Sequence, residues 1–317
     1  LDLGNLQVGD MMAFLQYAMQ IIMSFMMIAM TFIMIPRASV SAKRVNEVLD
    51  TPLSITDPIS PKTFEVSRKG EVVFENVTFR YPNADDDVLH DLSFTARPGE
   101  TTAFIGSTGS GKSTLINLIP RFYDVTQGRV LVNGVDVREV SQKELRQRIG
   151  YIPQKGVLFS GTIESNLKYA KDDASEAELQ QAISIAQASN IIAEKADGIQ
   201  EHIAQGGSNV SGGQKQRLSI ARALIKNPDL FIFDDSFSAL DFKTDLALRS
   251  ALHKELADKT LLVVAQRIST ILHADQIIVL ENGRIVGKGT HHDLMDTCVV
   301  YREIALSQMT SEELSHE

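Results

Sequence analysis

The chain has 317 residues, 44% of them hydrophobic, a formal net charge of −9 and one cysteine, Cys298. That length holds one large domain or two smaller ones, with material for a sizeable core. The acidic balance without a long Lys/Arg block argues against a nucleic-acid partner, and a lone cysteine excludes an internal disulfide and fits a reducing compartment.

Eight of the ten methionines lie between Met11 and Met34, and no charged residue occurs from Met11 to Pro36. These 26 residues would make a helix roughly 39 Å long, and a bilayer core needs about 20 apolar residues. A buried core helix is usually shorter and carries a polar face. A cleaved signal peptide carries its basic region first. Here Asp2 and Asp10 precede the run while Arg37, Lys43 and Arg44 follow it, so the pattern predicts a transmembrane helix with its C-terminal end in the cytoplasm. A chain that begins at Leu1 with one lone span reads as the tail of a larger membrane domain whose earlier helices are missing. Gln16 and Gln20 share a helix face and suit helix–helix hydrogen bonding or the lining of a substrate path.

Residues 37–50 keep helical spacing and extend that helix into the cytoplasm, closing a first segment at 1–50. TPLSITDPISPKTFE, residues 51–65, holds Pro52, Pro58 and Pro61 and reads as a linker. From Val66 to about residue 310 the texture is that of a soluble α/β domain, with 311–317 as a tail. VVFENVTFRY, VLHDLSFTA and TTAFIG are strand-like; GRVLVNGVDV and ADQIIVLENGRIVGKG are hairpins turning at Asn133-Gly134 and Asn282-Gly283. SQKELRQR opens a helix with a Ser141/Glu144 capping box. DLFIFDD and TLLVVAQ are continuous apolar runs, as in strands buried on both faces. The alternation predicts a mostly parallel sheet with an antiparallel part added early.

The stretch GSTGSGKST, from Gly106 through Ser107, Thr108, Gly109, Ser110, Gly111, Lys112 and Ser113 to Thr114, matches G-x-x-x-x-G-K-[ST] between a strand and a helix. Its glycines let backbone N–H groups wrap phosphates. Lys112 is placed to reach the outer phosphates, and the Ser113 hydroxyl to ligate Mg²⁺. Asp234, at the end of the apolar run LFIF, fits the acid that holds the Mg²⁺ shell, and Asp235 would stand beside the γ-phosphate where an attacking water is oriented. NVSGGQKQRLSIARAL, residues 209–224, opens with a Ser211/Gln214 capping box around bare Gly212 and Gly213. That makes a second anion site, useful if it closes on a nucleotide held by another chain.

With SGGQ in place, residues 66 to about 310 resemble an ATP-binding cassette (ABC), and the leading helix resembles the last span of an exporter-type half-transporter. The resemblance implies an α/β P-loop NTPase fold, a RecA-like core with an antiparallel β subdomain and a helical signature subdomain, preceded by one transmembrane helix. It implies two cassettes that sandwich two ATP molecules head to tail, each site pairing one chain's phosphate loop with the other's signature helix. Tyr81 matches the aromatic residue that stacks on adenine. Gln154, in YIPQ, matches the glutamine that senses Mg²⁺ and touches the membrane domain. Ser238 to Asp241 match the loop crossing the dimer interface, and EHIAQGG resembles a segment that contacts the membrane domain. The implied setting is the inner or plasma membrane, multi-pass, with the nucleotide-binding domain cytoplasmic, moving a small hydrophobic compound through the lipid bilayer.

Two positions depart from the family pattern. The family has glutamate after the strand-end aspartate, where this chain has Asp235, and a histidine in A-H-R, where it has Gln266. Aspartate sets its carboxylate about 1.5 Å back, and a misplacement of about 1 Å can cost on the order of 10²-fold in rate. Glutamine can donate to a γ-phosphate but carries no charge and relays no proton; His273 lies in another element. With the binding parts intact, this is the pattern of the degenerate, slowly hydrolysing half of a heterodimeric exporter, whose signature helix completes the partner's site. A homodimer with weak ATPase activity, or an ATP-gated regulatory cassette with negligible turnover, stays open. The long apolar run argues against a soluble cassette in repair or translation, and fusion of span to cassette against an importer subunit.

Overall fold

The computed structural model describes residues 7–308; Asp2 and the tail 311–317 lie outside them. The chain divides into two units between Thr56 and Asp57.

The first unit is built on one helix, Val8–Leu49 (α1), of 42 residues, about 63 Å long at the α-helical rise. Among the described residues it is the one helix long and apolar enough to cross a membrane, and none of its residues is buried. Two hydroxyls in its apolar part are satisfied inside the helix: Ser24 Oγ donates to the Gln20 carbonyl and Thr31 Oγ1 to that of Met27, both at 2.8 Å. A helix crossing a bilayer would need this, because hydrocarbon offers polar groups no partner. Pro36 lies within the helix and removes the N–H that would reach the carbonyl four residues back.

In the second unit, Val72–Phe79 (β1) and Leu89–Ala96 (β2) pair antiparallel. Thr101–Ile105 (β3) runs into the phosphate-loop motif and helix Lys112–Leu118 (α2). Gln127–Val132 (β4) and Val135–Asp136 (β5) form the first hairpin, with positive φ at both Asn133 and Gly134, as a two-residue turn of this hand requires. Gln142–Gln147 (α3) is capped one way only, Ser141 Oγ accepting from the Glu144 N–H at 3.3 Å. Ile149–Ile152 (β6), the short pair Gly161–Thr162 (β7) and His202–Ile203 (β8), and helices Ile163–Lys168 (α4), Glu176–Ile185 (α5) and Ser189–Ala193 (α6) follow. Gly212–Ile225 (α7), Leu230–Asp234 (β9), Phe242–Glu255 (α8) and Thr260–Val264 (β10) complete the middle. The hairpin Gln276–Glu281 (β11) and Arg284–Gly289 (β12), then His291–Thr297 (α9) and Val299–Gln308 (α10), end it.

Two principal sheets result. One is antiparallel, in the order β2-β1-β4-β5; the other runs β12-β11-β3-β10-β9-β6, parallel except for β12. Side-chain alternation divides the core between the larger sheet's faces. Ala103, Ile105, Phe231, Phe233 and Val263 face the helical side with Leu218, Ile220 and Leu248. Phe104, Leu230, Ile232, Leu262 and Val264 face Leu115, Ile116 and the antiparallel sheet. Each fully buried large apolar side chain is worth about 1.5–3 kcal/mol, so the continuous apolar strands are what two covered faces require.

Residues 57–65, within the stretch that reads as linker, are tied to this unit. Asp57 accepts from the Gln142 N–H at 3.0 Å, the Lys62 N–H donates to the Glu139 carbonyl at 2.8 Å, and Arg148 stacks over Phe64.

Candidate active site

The parallel order β3-β10-β9-β6 brings four carboxyl ends side by side, which is where open α/β sheets bind ligands. The phosphate loop leaves β3, Gln154 follows β6, Asp234 and Asp235 end β9, and Gln266 follows β10. A cavity of about 320 Å³ opens there, lined by Val88, Thr108, Gly109, Gly111, Lys112, Ser113, Thr114, Gln154, Asp234, Asp235, Val264 and Gln266.

The loop is shaped by close backbone approach. Gly106 has φ +155°, and a Cβ there would lie 2.0 Å from the Leu280 carbonyl oxygen. Lys112 folds back over the loop, its Nζ donating to the Gly106 and Ser107 carbonyls at 2.8 Å and to Ser110 Oγ at 3.2 Å. Burial holds its pKa below the usual lysine value, against the opposing pull of Asp235 and Asp234.

Ser113 Oγ donates to Asp234 Oδ1 at 3.3 Å, and the Tyr151 hydroxyl lies 3.4 Å from Asp234 Oδ2. Burial raises the Asp234 pKa, opposed by these two hydrogen bonds. Burial likewise pushes the Tyr151 phenol well above its usual value, so it stays a donor. Asp235 is 8% exposed and has φ +47°. Its Oδ2 accepts from Gln154 Nε2 at 3.0 Å and from Gln266 Nε2 at 2.8 Å. Burial raises its pKa too, against the Gln154 bond.

The other residues singled out in the sequence sit elsewhere. Tyr81 does not line the cavity; its hydroxyl shares a 2.9 Å hydrogen bond with Thr114 Oγ1, and its ring meets Phe79 and Tyr123 edge-on. Ser211 caps α7, accepting from the Gln214 N–H at 3.3 Å, while Gln214 Oε1 accepts from the Ser211 N–H at 3.0 Å. Gly212 is exposed beside that cap, and a Cβ on Gly213 would lie 3.3 Å from the Ala239 carbonyl. Asp241 caps α8 through Thr244 N–H at 3.0 Å, and hydrogen bonding from the Thr244 side chain and then its N–H lowers the Asp241 pKa. None of these six residues lines the cavity. His273 lines a different cavity with Phe237 and Leu252.

Tyr151 is the residue sequence reading missed, although its hydroxyl three places before Gln154 was a signal. It lines a second cavity, of about 330 Å³, with Phe122, Arg146, Tyr169, Ser219 and Arg222. Phe122 and Tyr169 are exposed there, and Arg222 Nη1 and Ser219 Oγ lack hydrogen-bond partners.

A phosphate loop at the end of β3 and a carboxylate at the end of β9, joined by Ser113–Asp234, define a P-loop NTPase. Residues 89–238 match the ABC transporter family, and the chain carries an ABC transporter ATP-binding domain of the exporter-like kind. It is 49% identical over 314 residues to an uncharacterized ABC transporter ATP-binding protein of Mycobacterium tuberculosis, covering 98% of this chain and 54% of that protein. It is 40% identical over 293 residues to an ATP-dependent lipid A-core flippase of Xanthomonas oryzae pv. oryzae, covering 92% of this chain and 49% of the flippase. Among solved structures, a bacterial Atm1-family ABC exporter with ATP bound superposes with a TM-score of 0.84 at 35% identity, covering 98% of this chain and 54% of that one. The chain thus spans about half the length of the curated relatives it matches.

Proposed function

We propose that this chain is the ATP-binding part of an ABC exporter that pairs with a second half-transporter, a heterodimer in which its own site binds ATP and hydrolyses it slowly. The observation that carries the slow-site reading is the pair of neutral amides on one oxygen of a short acid: Gln154 and Gln266 both donate to Asp235 Oδ2. Such a carboxylate is occupied on the oxygen that faces both amides, and among the described residues no imidazole lines the cavity beside it to take a proton.

The donor set fits Mg²⁺. Ser113 Oγ and Asp234 Oδ1 are hard oxygen ligands already 3.3 Å apart. Among the described residues no cluster of three or more His, Cys, Asp or Glu forms a closed cage, and Mg²⁺ typically takes one or two carboxylates and completes its shell with phosphates and water. Bound there, the ion would neutralise phosphate charge. On ATP binding Lys112 would exchange its loop carbonyls for phosphate oxygens. Gln266 keeps a second N–H on the same nitrogen for a γ-phosphate oxygen while the first holds Asp235. Asp235 would accept the water proton, and Tyr81 would pack on the adenine. Ser211, Gly212, Gly213 and Gln214, away from the cavity, would meet the ATP of the partner, with Asp241 at that interface.

The length and exposure of α1 support a membrane-anchored protein with this domain in the cytoplasm. The groove with exposed Phe122 and Tyr169 and an unpartnered Arg222 nitrogen suits a cytoplasmic loop of the membrane domain. The likeness to a lipid A-core flippase supports a hydrophobic or lipid-like substrate. One observation favours a homodimer instead: burial raises the Asp235 pKa, which makes its carboxylate a better base. Steady-state ATP hydrolysis of the chain alone and mixed with its partner half-transporter decides. Low turnover alone and high turnover in the mixture support the heterodimer; brisk turnover of the chain alone rejects it.

A further inference from the structure

Tyr151 and Ile232 are partners in the parallel β6–β9 register. Ile232 and Asp234 share a face of β9, so the register sets Tyr151 on the α2 side, beside Asp234. From α2, Asn117 Oδ1 meets the Tyr151 hydroxyl at 3.0 Å, while Asp234 Oδ2 lies 3.4 Å from it. The hydroxyl has one proton. An ionised carboxylate is the stronger acceptor, and Asn117 can offer either its carbonyl or its NH₂ by a half-turn of the amide. The remaining oxygen, Oδ1, is the one that faces Ser113.

We propose that Tyr151 is a positioning residue for Asp234: its hydroxyl, seated between Asn117 and Oδ2, fixes the rotation of the carboxylate so that Oδ1 is presented beside Ser113 to the Mg²⁺ of a bound nucleotide. This rests on the reading of Asp234 as the Mg²⁺ carboxylate. The same tyrosine ring meets Phe122 edge-on at 5.8 Å, so one side chain runs from the exposed aromatic groove to the metal-binding carboxylate.

The test uses the full chain in lipid nanodiscs, a non-hydrolysable ATP analogue, and Mn²⁺ as a paramagnetic substitute for Mg²⁺. Loss of a partner that orients a metal ligand weakens metal binding by about tenfold or more, so Tyr151→Phe is expected to weaken Mn²⁺ binding by about tenfold and to leave the affinity for metal-free nucleotide unchanged. In an Asp234→Asn background the same change is expected to have no further effect, because Tyr151 acts through that carboxylate. Equal Mn²⁺ affinity in wild type and Tyr151→Phe, or an equal loss in both backgrounds, overturns the proposal. Wild-type Mn²⁺ affinity in Asp234→Asn alone overturns the Mg²⁺ reading itself, a separate failure. Asn117→Leu provides a second variant should Tyr151→Phe not fold. With one side of the seat removed, Mn²⁺ is expected to bind more weakly, and Asn117→Leu to add nothing in the Asp234→Asn background; unchanged binding, or an equal loss in both backgrounds, rejects the assignment.

Discussion

Gln266 Nε2 lies 2.8 Å from Asp235 Oδ2, and Gln154 Nε2 reaches the same oxygen at 3.0 Å. The two amides come from the ends of β10 and β6, so the acid on β9 is held from both neighbouring strands. A neutral clamp orients the carboxylate without supplying charge or a proton relay. Restoring both departures together, Asp235→Glu with Gln266→His, is expected to raise ATP turnover on the order of 10²-fold. Phosphate release at saturating Mg²⁺–ATP measures this, and a double variant no faster than wild type removes the case for a degenerate site.

Asp229 couples the first hairpin turn to the start of β9. Its Oδ2 accepts from Asn133 Nδ2 and Arg148 Nη1, both at 2.9 Å. Burial would raise its pKa, but the Arg148 and Asn133 hydrogen bonds and the charges of Arg148 and Lys69 outweigh it, so the folded value is depressed. A depressed carboxylate contributes stability that is present above its unfolded value, near 3.9, and is lost as pH falls through the folded value. Thermal melts should therefore lose stability below about pH 4, and Asp229→Asn should flatten that acid limb while costing about 1–3 kcal/mol at neutral pH. An unchanged acid limb in the variant contradicts this role.

Gly283 closes the β11–β12 hairpin at φ +72°, where a Cβ would lie 2.1 Å from the Val88 carbonyl oxygen. Its carbonyl accepts from the His90 N–H at 2.9 Å, and its N–H donates to the Ser110 carbonyl at 3.3 Å. Gly283→Ala should cost at least about 1–3 kcal/mol through backbone strain and disturb the phosphate loop through Ser110. Calorimetry gives the first and ATP-analogue titration the second; wild-type values in both would show that the turn relaxes freely.

Ile28 lies near the middle of α1, within its apolar part. Ile28→Asp should raise the free energy of membrane insertion by about 3–4 kcal/mol, read as the inserted fraction in a glycosylation-mapping assay. Insertion equal to wild type would mean that α1 does not lie across the bilayer.

Much of the fold was legible because its signals are local. Asn133-Gly134 and Asn282-Gly283 place positive φ where a two-residue turn needs it. The apolar runs of β9 and β10 announce strands covered on both faces, and both are buried there. GSTGSGKST needs no partner to be read, and the structure sets Lys112, Ser113, Asp234 and Asp235 around one cavity. The docking of residues 57–65 was not legible, since prolines mark only where regular structure stops. Asp57 and Lys62 find Gln142 and Glu139 more than 70 residues away.

The sequence by itself determined the chemistry available: a loop that can wrap phosphates, two adjacent acids, neutral amides in place of stronger groups, and an apolar helix. Only the tertiary structure decided who meets whom. Tyr151 reaches Asp234 because β6 pairs with β9 in parallel register, and both Gln154 and Gln266 reach one oxygen of Asp235 because their strands flank β9. Those meetings depend on sheet order and register, which pairings between distant segments fix and no local pattern of residues encodes.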